Sequence, residues 1–538
     1  SQAGDSDCWD VYRATMVPHF PLSPEEERET IRGFNAMVDA LLARDDLFCQ
    51  RENALANAFS VAYYYTECDY KEEYSKWVRL KATLNKNLEY FSPRLAYERD
   101  DRYLTSRESK ASLKRLKSRK IKLGVVSSFF TPDSSIWGNF GYVVRGLQQD
   151  KRFEVDFVYF PRNPNTKEDK LLSLHPESNI YLEAHQMGQS VLDANRKKIE
   201  ARKFDVLLYL DLHMTGEMHD YAMAKLAPVQ ITTHGHPVTS GIPELIMDYF
   251  LSWDLAELPD KLRAQTFYTE KLLLINSNKQ AWEYFVPRTK DEVSVIKGHA
   301  PFSHFTRENI DFIPDEGMRK LSVESATWYF CPQAAFKYHV TFDRILGEIQ
   351  KRDSSAVIIL MQLTSDTFED LHFKVIKRLS THGGVDLSRV VFVPRMQHYQ
   401  LMAMYKLSDV VLDSVYFGGD TTTREAFEVG SPVVTLPGKT IGQRWTQAYY
   451  KVMGILDYVV DTADEYVSVA TKFANADGET KLRARERIKT AYHEKLVANP
   501  EAPKLWGDAI FRAATAPTRW HWHDQVGTNA KKRTRDEF

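Results

Sequence analysis

The sequence predicts an α/β protein with two doubly wound, Rossmann-like lobes preceded by an irregular α-helical region. Three observations predict it. From residue 121 short apolar runs alternate with stretches of helical period, the pattern of parallel strands joined by helical crossovers. The alternation occurs twice, separated by a less regular stretch over residues 278–317. Ahead of both sets, residues 1–118 carry helical patterns.

Within that region, LSPEEERETIRGFNAMVDALLARDD holds a capping box, Ser23 with Glu26, Pro24 at the first helical position, and apolar residues at helical spacing from Ile31 to Leu42. Helical patterns continue through ENALANAFSVAYYY and KEEYSKWVRLKATLNKNLEYF, without a clean 34-residue period, so irregular helical hairpins are expected rather than a repeat array. The basic run KASLKRLKSRKIK, residues 110–122, reads as a solvated linker or helix end. In the first lobe, 119–317 with its connecting segment, KLGVVSS, FEVDFVYF, FDVLLYLDL, PVQITTH and MDYFLS read as buried strands. IWGNFGYVVRGLQQ and VLDANRKKIEARK are the helices between them. The second lobe, 318–480, has strands TWYFCP, AVIILMQ, RVVFVP, VVLDSV and PVVTLP. After Gly454 the chain is mostly helical, with C-terminal helices over 481–516 and a polar tail over 517–538. In that tail His521 and His523 lack a third metal ligand, and KKRTR is a short basic address at most.

At 538 residues there is chain for three or so domains at about 150 residues each. Hydrophobic residues at 43% and charged residues at 27% are ordinary for a globular protein, and a net charge of −2 excludes a general nucleic-acid binder. No apolar run approaches the roughly 20 residues that cross a bilayer, and SQAGDSDCWD is not a leader pattern. Cys8, Cys49, Cys68 and Cys331 match no metal-ligand spacing and suggest no disulfide framework, so an intracellular, reducing compartment is expected.

One stretch carries chemistry. FGGDTTTREAFEVGSPVV, residues 417–434, follows the strand VVLDSV and puts Gly418 and Gly419 where a strand ends and a helix begins. A helix start leaves backbone N–H groups unpaired at the positive end of the helix dipole, so two glycines followed by hydroxyls make a seat for phosphate. Asp420 or Thr421 as a plain helix cap is the competing reading, but the position at a doubly wound domain's ligand edge favours phosphate. Gly430 ends the helix and SPVV returns as the next strand. There is no Walker loop and no GxGxxG fingerprint, which points to a nucleotide-sugar rather than ATP or NAD.

At this stretch the sequence resembles the O-GlcNAc transferase and SPINDLY-like family of glycosyltransferases, over roughly residues 60–500. ECDYKEEYSKWVRL is similar to the last helices before that family's catalytic region, and KLGVVSSFF to its first strand and loop. LAPVQITTHGHPVTSGIPELIMDY, CPQAAFK and VLDSVYFGGDTTTREAFEVGSPVVTLPG are similar to three of its motifs, in the same order. The resemblance implies a GT-B fold with the donor between the lobes, and an inverting sugar transfer that needs no metal or other cofactor. Carried over by position, Thr421 and Thr422, with Gly419 and Asp420 in the same loop, hold the diphosphate; Glu425 holds the ribose; Arg395 and His398, in PRMQHYQ, hold the base. Gln333 and Lys337 match the turn whose lysine neutralises the leaving diphosphate.

Two positions depart from the family pattern. Asp420 stands where the animal enzymes have histidine, and its carboxylate would repel a diphosphate unless it caps the helix or points away. Asp133 falls where histidine is common on the acceptor side, and is expected either as general base or as cap of the helix beginning near Ser135. Of His213, His219, His234 and His236, the last is expected to meet substrate, with a buried core histidine as the rival reading for each. A long insertion between the lobes and a repeat superhelix, both features of the animal enzyme, are not recognisable. The expected function is transfer of GlcNAc from UDP-GlcNAc to Ser or Thr of proteins in cytoplasm or nucleus, with a protein or peptide acceptor as partner and neither nucleic acid nor membrane. GDP-fucose as donor and asparagine glucosylation from UDP-glucose are alternatives within the class. A nucleotide-sugar epimerase and a non-catalytic scaffold are the alternatives outside it.

Overall fold

The computed structural model describes residues 2–17, 21–49, 70–95, 118–131, 134–160, 178–183, 189–235, 237–287, 302–362 and 369–516. The patterns over 52–65 and 110–117, Asp133, His236 and the tail from 517 lie outside the described residues.

The first lobe is a seven-stranded sheet in the order β3-β2-β1-β4-β5-β6-β7. Its strands are β1 Ile121–Ser127, β2 Phe153–Tyr159, β3 Asn179–Tyr181, β4 Val206–Tyr209, β5 Val229–Thr232, β6 Tyr249–Trp253 and β7 Lys271–Ile275. The second lobe is a five-stranded sheet, order β10-β9-β8-β11-β12: β8 Thr327–Cys331, β9 Ala356–Met361, β10 Val390–Val393, β11 Val410–Leu412 and β12 Val433–Val434. Every pairing within both sheets is parallel, as crossover helices require. Ten of these strands sit where apolar runs predicted them. The edge strands β3 and β7 were not anticipated: β3 is three residues long, and the KLLLI of β7 follows a short helix, Lys261–Gln265, rather than a full crossover.

In the helical region, Pro24–Leu42 begins as the capping box demands, the Glu26 N–H donating to Ser23 Oγ at 3.1 Å. The Glu26 carboxylate accepts from Leu22 N–H at 2.6 Å, one residue earlier than the ideal box. This helix, Gln2–Thr15 and Lys71–Leu84 bury Val11, Phe34, Val38, Tyr74 and Trp77 against Val126, Val158, Leu207 and Met218 of the first lobe. The expectation of unpaired cysteines fails here. Cys8 and Cys49 form a disulfide, because the packed helices bring residues 41 positions apart to a Cα–Cα distance of 4.9 Å, a proximity that spacing along the chain does not reveal. The cysteine pattern therefore gives no argument for a reducing compartment. Among the described residues no helix is long and apolar enough to cross a membrane.

A second core runs through both lobes. Trp253 and Trp282 stack at 5.7 Å, and Trp445 and Trp506 join them around Phe140 and His234. The terminal helix Ala502–Thr515 returns to pack on Ser135–Gln149, where Gly146 lies so near Pro503 that a Cβ would approach it to 2.3 Å. Bulky aromatics from widely separated segments thus hold the two sheets as one body.

Candidate active site

The site grows from the carboxyl ends of β8, β10 and β11, where the strand order of the second sheet reverses between β8 and β11. After β11, Asp413 organises the glycine loop: Oδ1 accepts from Gly419 N–H at 2.7 Å, and Oδ2 accepts from the hydroxyls of Thr435 and Thr446 at 2.8 Å each. Burial raises the Asp413 carboxyl above its usual range, and those donors together with Lys337 hold it down in part. The helix Thr421–Glu428 then starts at Asp420, with Thr421 and Thr422 half-buried in its first turn.

Beside this helix start stands the turn Ala335–Lys337 that follows β8. Gln333 Nε2 donates to Thr422 Oγ1 at 2.6 Å, and Gln333 Oε1 accepts from the Lys337 ammonium at 3.0 Å. The two bonds fix the orientation of the amide, since only its oxygen can face an ammonium. They also leave the Thr422 hydroxyl hydrogen and further ammonium hydrogens free of Gln333, available to an anion. The ammonium lies 4.5 Å from the centre of the Phe417 ring. Burial brings the half-buried Lys337 down to about 8, with Asp413, Cys331 and Asp420 opposing the fall. Gly419 is required by space: a Cβ there would come within 2.5 Å of Thr422 Oγ1 and 2.6 Å of Gln333 Nε2.

One turn further along the same helix, His398 Nε2 and Glu425 Oε1 are 2.9 Å apart. Glu425 is buried, while His398 is partly exposed at the start of the helix that follows β10. Arg395 is exposed in the segment between β10 and that helix. Gln333, Lys337, Gly419, Thr421, Thr422, Glu425 and His398 are therefore drawn together, with Arg395 at the rim.

Asp420 behaves differently from the expectation of a cap: its side chain makes no capping hydrogen bond. One oxygen accepts from Asn139 Nδ2 of the first lobe at 2.6 Å, and the other pairs with Arg424 at 3.0 Å and accepts from the Tyr449 hydroxyl. Arg424 in turn donates to Glu283 at 2.6 Å and to Asn139 Oδ1 at 2.8 Å, and Glu283 lies 2.7 Å from His234 Nε2. Burial alone would raise Glu283, but Arg424 and His234 hold it below its usual range. Burial likewise disfavours the Arg424 cation, and Asp420, Tyr449 and Glu283 outweigh it. This buried chain of charges joins the phosphate-side helix to the first lobe. Sequence reasoning missed Asp413, Asn139, Glu283, Arg424 and Tyr449. Their one legible signal is TTTREAFE itself, a short helix between buried strands whose charged residues must be paired to be buried.

The core reading holds for three histidines. His213 Nε2 and His219 Nε2 donate to the backbone carbonyls of Thr239 and Ser240, at 3.0 Å each, and their rings lie tilted against Tyr74 and Trp77. Burial takes His213 down to about 4 and His219 well below its usual range. His234 sits among Trp282, Trp445 and Phe140. Ser134 caps the helix Ser135–Gln149 through Ile136 and Trp137 N–H, so that role is filled without Asp133. Among the described residues no group of three or more His, Cys, Asp or Glu side chains is placed to hold a metal ion.

Residues 340–500 match the family described as Glycosyl transferase family 41. The chain is 23% identical over 322 residues to the probable UDP-N-acetylglucosamine--peptide N-acetylglucosaminyltransferase SPINDLY of Hordeum vulgare, covering 60% of this chain and 30% of that protein. It is 22% identical over 370 residues to the corresponding SEC protein of Arabidopsis thaliana, covering 66% of this chain and 33% of that one. The chain thus spans about a third of the length of the curated relatives it matches. Its fold is shared with a Thermobaculum terrenum O-GlcNAc transferase mutant, with a TM-score of 0.56, 16% identity, and coverage of 96% of this chain and 98% of that one. Two parallel-sheet lobes of GT-B type and these matches point the same way: the chain is similar to the O-GlcNAc transferase and SPINDLY-like glycosyltransferases, through the family 41 match over residues 340–500 and a fold shared along nearly its whole length.

Proposed function

We propose that this chain is a glycosyltransferase moving a sugar, GlcNAc from UDP-GlcNAc in first place, to Ser or Thr hydroxyls of a protein without a metal ion. The observation that carries the reading is the Lys337–Gln333–Thr422 relay at the start of the helix Thr421–Glu428. An ammonium, a hydroxyl and helix N–H groups converge there, which supports a diphosphate seat, and the His398–Glu425 pair nearby supports the nucleoside side of the same reading. In the transfer, the bond from the anomeric carbon to the diphosphate oxygen breaks as the acceptor oxygen bonds to that carbon from the opposite face. The acceptor's proton passes to a base, for which Asp133 and His236 are the candidates. The charge that develops on the leaving diphosphate is met by Lys337 and the helix start, the task a divalent metal performs elsewhere. The bonds of Asp420 to Arg424, Asn139 and Tyr449 offset its repulsion of a diphosphate in part, which supports an active site over the non-catalytic scaffold.

The test is a thermal-shift panel of UDP, UDP-GlcNAc, UDP-glucose, GDP and GDP-fucose without added metal, since a ligand that binds the folded state raises the midpoint by mass action. A selective shift with UDP-GlcNAc, followed by sugar transfer to a protein acceptor, supports the reading. A shift with GDP-fucose or UDP-glucose replaces the donor, sugar interconversion without acceptor indicates an epimerase, and no shift with any nucleotide overturns the proposal.

A further inference from the structure

Among the described residues, the N-terminal helical region meets the second lobe beside the Lys337 turn. Glu27, in the first turn of Pro24–Leu42, has Oε2 2.7 Å from His339 Nε2, and both side chains are buried. His339 is two residues beyond Lys337 and caps the next helix, its Nδ1 accepting from Thr341 N–H at 3.1 Å. Its ring also meets Tyr416 edge-on at 4.7 Å. Tyr416 has φ of +70°, a left-handed conformation that is unfavourable for a non-glycine residue and needs surrounding contacts to persist. It directly precedes Phe417, the ring beneath the Lys337 ammonium. A few residues earlier the Pro21 carbonyl accepts from Arg378 Nη1 at 3.0 Å. Arg378 is fully buried, paired with Asp343 at 2.5 Å, and donates to the Tyr338 carbonyl next to Lys337. Both the turn that carries Lys337 and the loop that carries its aromatic floor are thus braced from residues 21–27, more than 300 positions away.

We propose that residues 21–27 are a positioning element for Lys337. Glu27 acts through His339 and Tyr416, and Pro21 acts through Arg378, so that the packing of the helical region sets where the ammonium stands. This coupling rests on geometry alone; only its consequence for sugar transfer depends on the function proposed above. Glu27, His339 and Arg378 are positioning residues that need not touch a ligand. The coupling is reciprocal, so an anion held by Lys337 stabilises the 21–27 contact in return.

The test needs no donor or acceptor. In the full chain, the rate at which an amine-acylating reagent labels Lys337, read by mass spectrometry across pH, reports its titration, starting from about 8. Glu27→Ala is expected to move that midpoint by at least half a unit, Glu27→Gln, which keeps a hydrogen-bonding group toward His339, to leave it nearly unmoved, and Asn35→Ala, which removes the Asn35–Glu73 bond elsewhere in the helical region, to leave it unmoved. An unmoved midpoint in folded Glu27→Ala, or an equal shift in Asn35→Ala, overturns the proposal. Should Glu27→Ala not fold, hydrogen exchange of the unaltered chain with UDP decides: protection of 21–27 together with 333–339 is expected, and protection of 333–339 and 417–425 without 21–27 refutes the coupling. Failure of UDP to bind at all counts against the proposed function, and leaves the labelling result to judge the positioning.

Discussion

At the scale of single residues, the site turns on the proton of Lys337. Its pKa of about 8 in the free protein lies within reach of ordinary buffers, because burial around the ammonium outweighs the attraction of Asp413 and Asp420. A bound diphosphate favours the charged form, so the complex keeps the proton to higher pH than the free protein does. Affinity for UDP is therefore expected to be level below pH 8 and to fall above it by up to tenfold per unit, as the free protein must first take up a proton to bind. Calorimetric titration of UDP from pH 6.5 to 9.5 checks this, and a flat profile across that range would remove Lys337 from the phosphate site. On the proposed reading Lys337→Ala also lowers turnover by 100-fold or more, about 3 kcal/mol of transition-state stabilisation, with little change in the unfolding midpoint.

At the scale of elements, the helix Thr421–Glu428 is held at both ends by groups that come from elsewhere. Its start depends on Gly419, and Gly419→Ala would expel the Gln333 amide from between Thr422 and Lys337. The loss of about 1–2 kcal/mol of hydrogen bonding is expected to weaken UDP roughly tenfold, a change that titration of the variant would read directly. Its interior carries Arg424, fully buried between Glu283 and Asp420. Arg424→Ala removes the cation shared by the buried Glu283 and the partly exposed Asp420, and a destabilisation of about 3 kcal/mol is expected by denaturant unfolding. Arg424→Ala combined with Glu283→Gln should recover part of that loss, because one of the stranded charges is gone; a double variant no better than the single one would contradict the pairing.

At the scale of the whole molecule, several junctions among the described residues join the lobes and the helical region. They include the tryptophan cluster around His234, the charge chain from His234 to Asp420, and the Glu27–His339 and Pro21–Arg378 contacts. The Cys8–Cys49 disulfide closes a loop of 41 residues across the helical region, which in chain-entropy terms is worth about 4 kcal/mol at most to the part it constrains. Reduction, or Cys8→Ser, is expected to lower the thermal midpoint and to raise hydrogen exchange over residues 2–49 first. Equal midpoints with and without dithiothreitol would show that the packing of Val11, Phe34 and Val38 suffices there.

The sequence by itself determined the strand–helix alternation, hence two parallel sheets, and it showed the proposed phosphate seat, since Gly419, Thr421 and Thr422 are neighbours along one chain segment. Periodicity and turn chemistry are local properties, which is why ten strands were legible, while β3, three residues long, and β7, reached through a short helix rather than a full crossover, were not. Only the tertiary structure decided what stands across from that seat. Asp420 read alone is a carboxylate against a diphosphate; folded, it is bound to Asn139 and Arg424, residues separated by 285 positions that also bond each other. The histidines of the first lobe read alone are candidate bases; folded, His213, His219 and His234 are packed on aromatic rings and bonded to backbone or Glu283. The Cys8–Cys49 bond belongs to the same class. Pairing of charges, burial of imidazoles and meeting of thiols are set by distances through space, and those follow from how helices and sheets pack rather than from the order of residues along the chain.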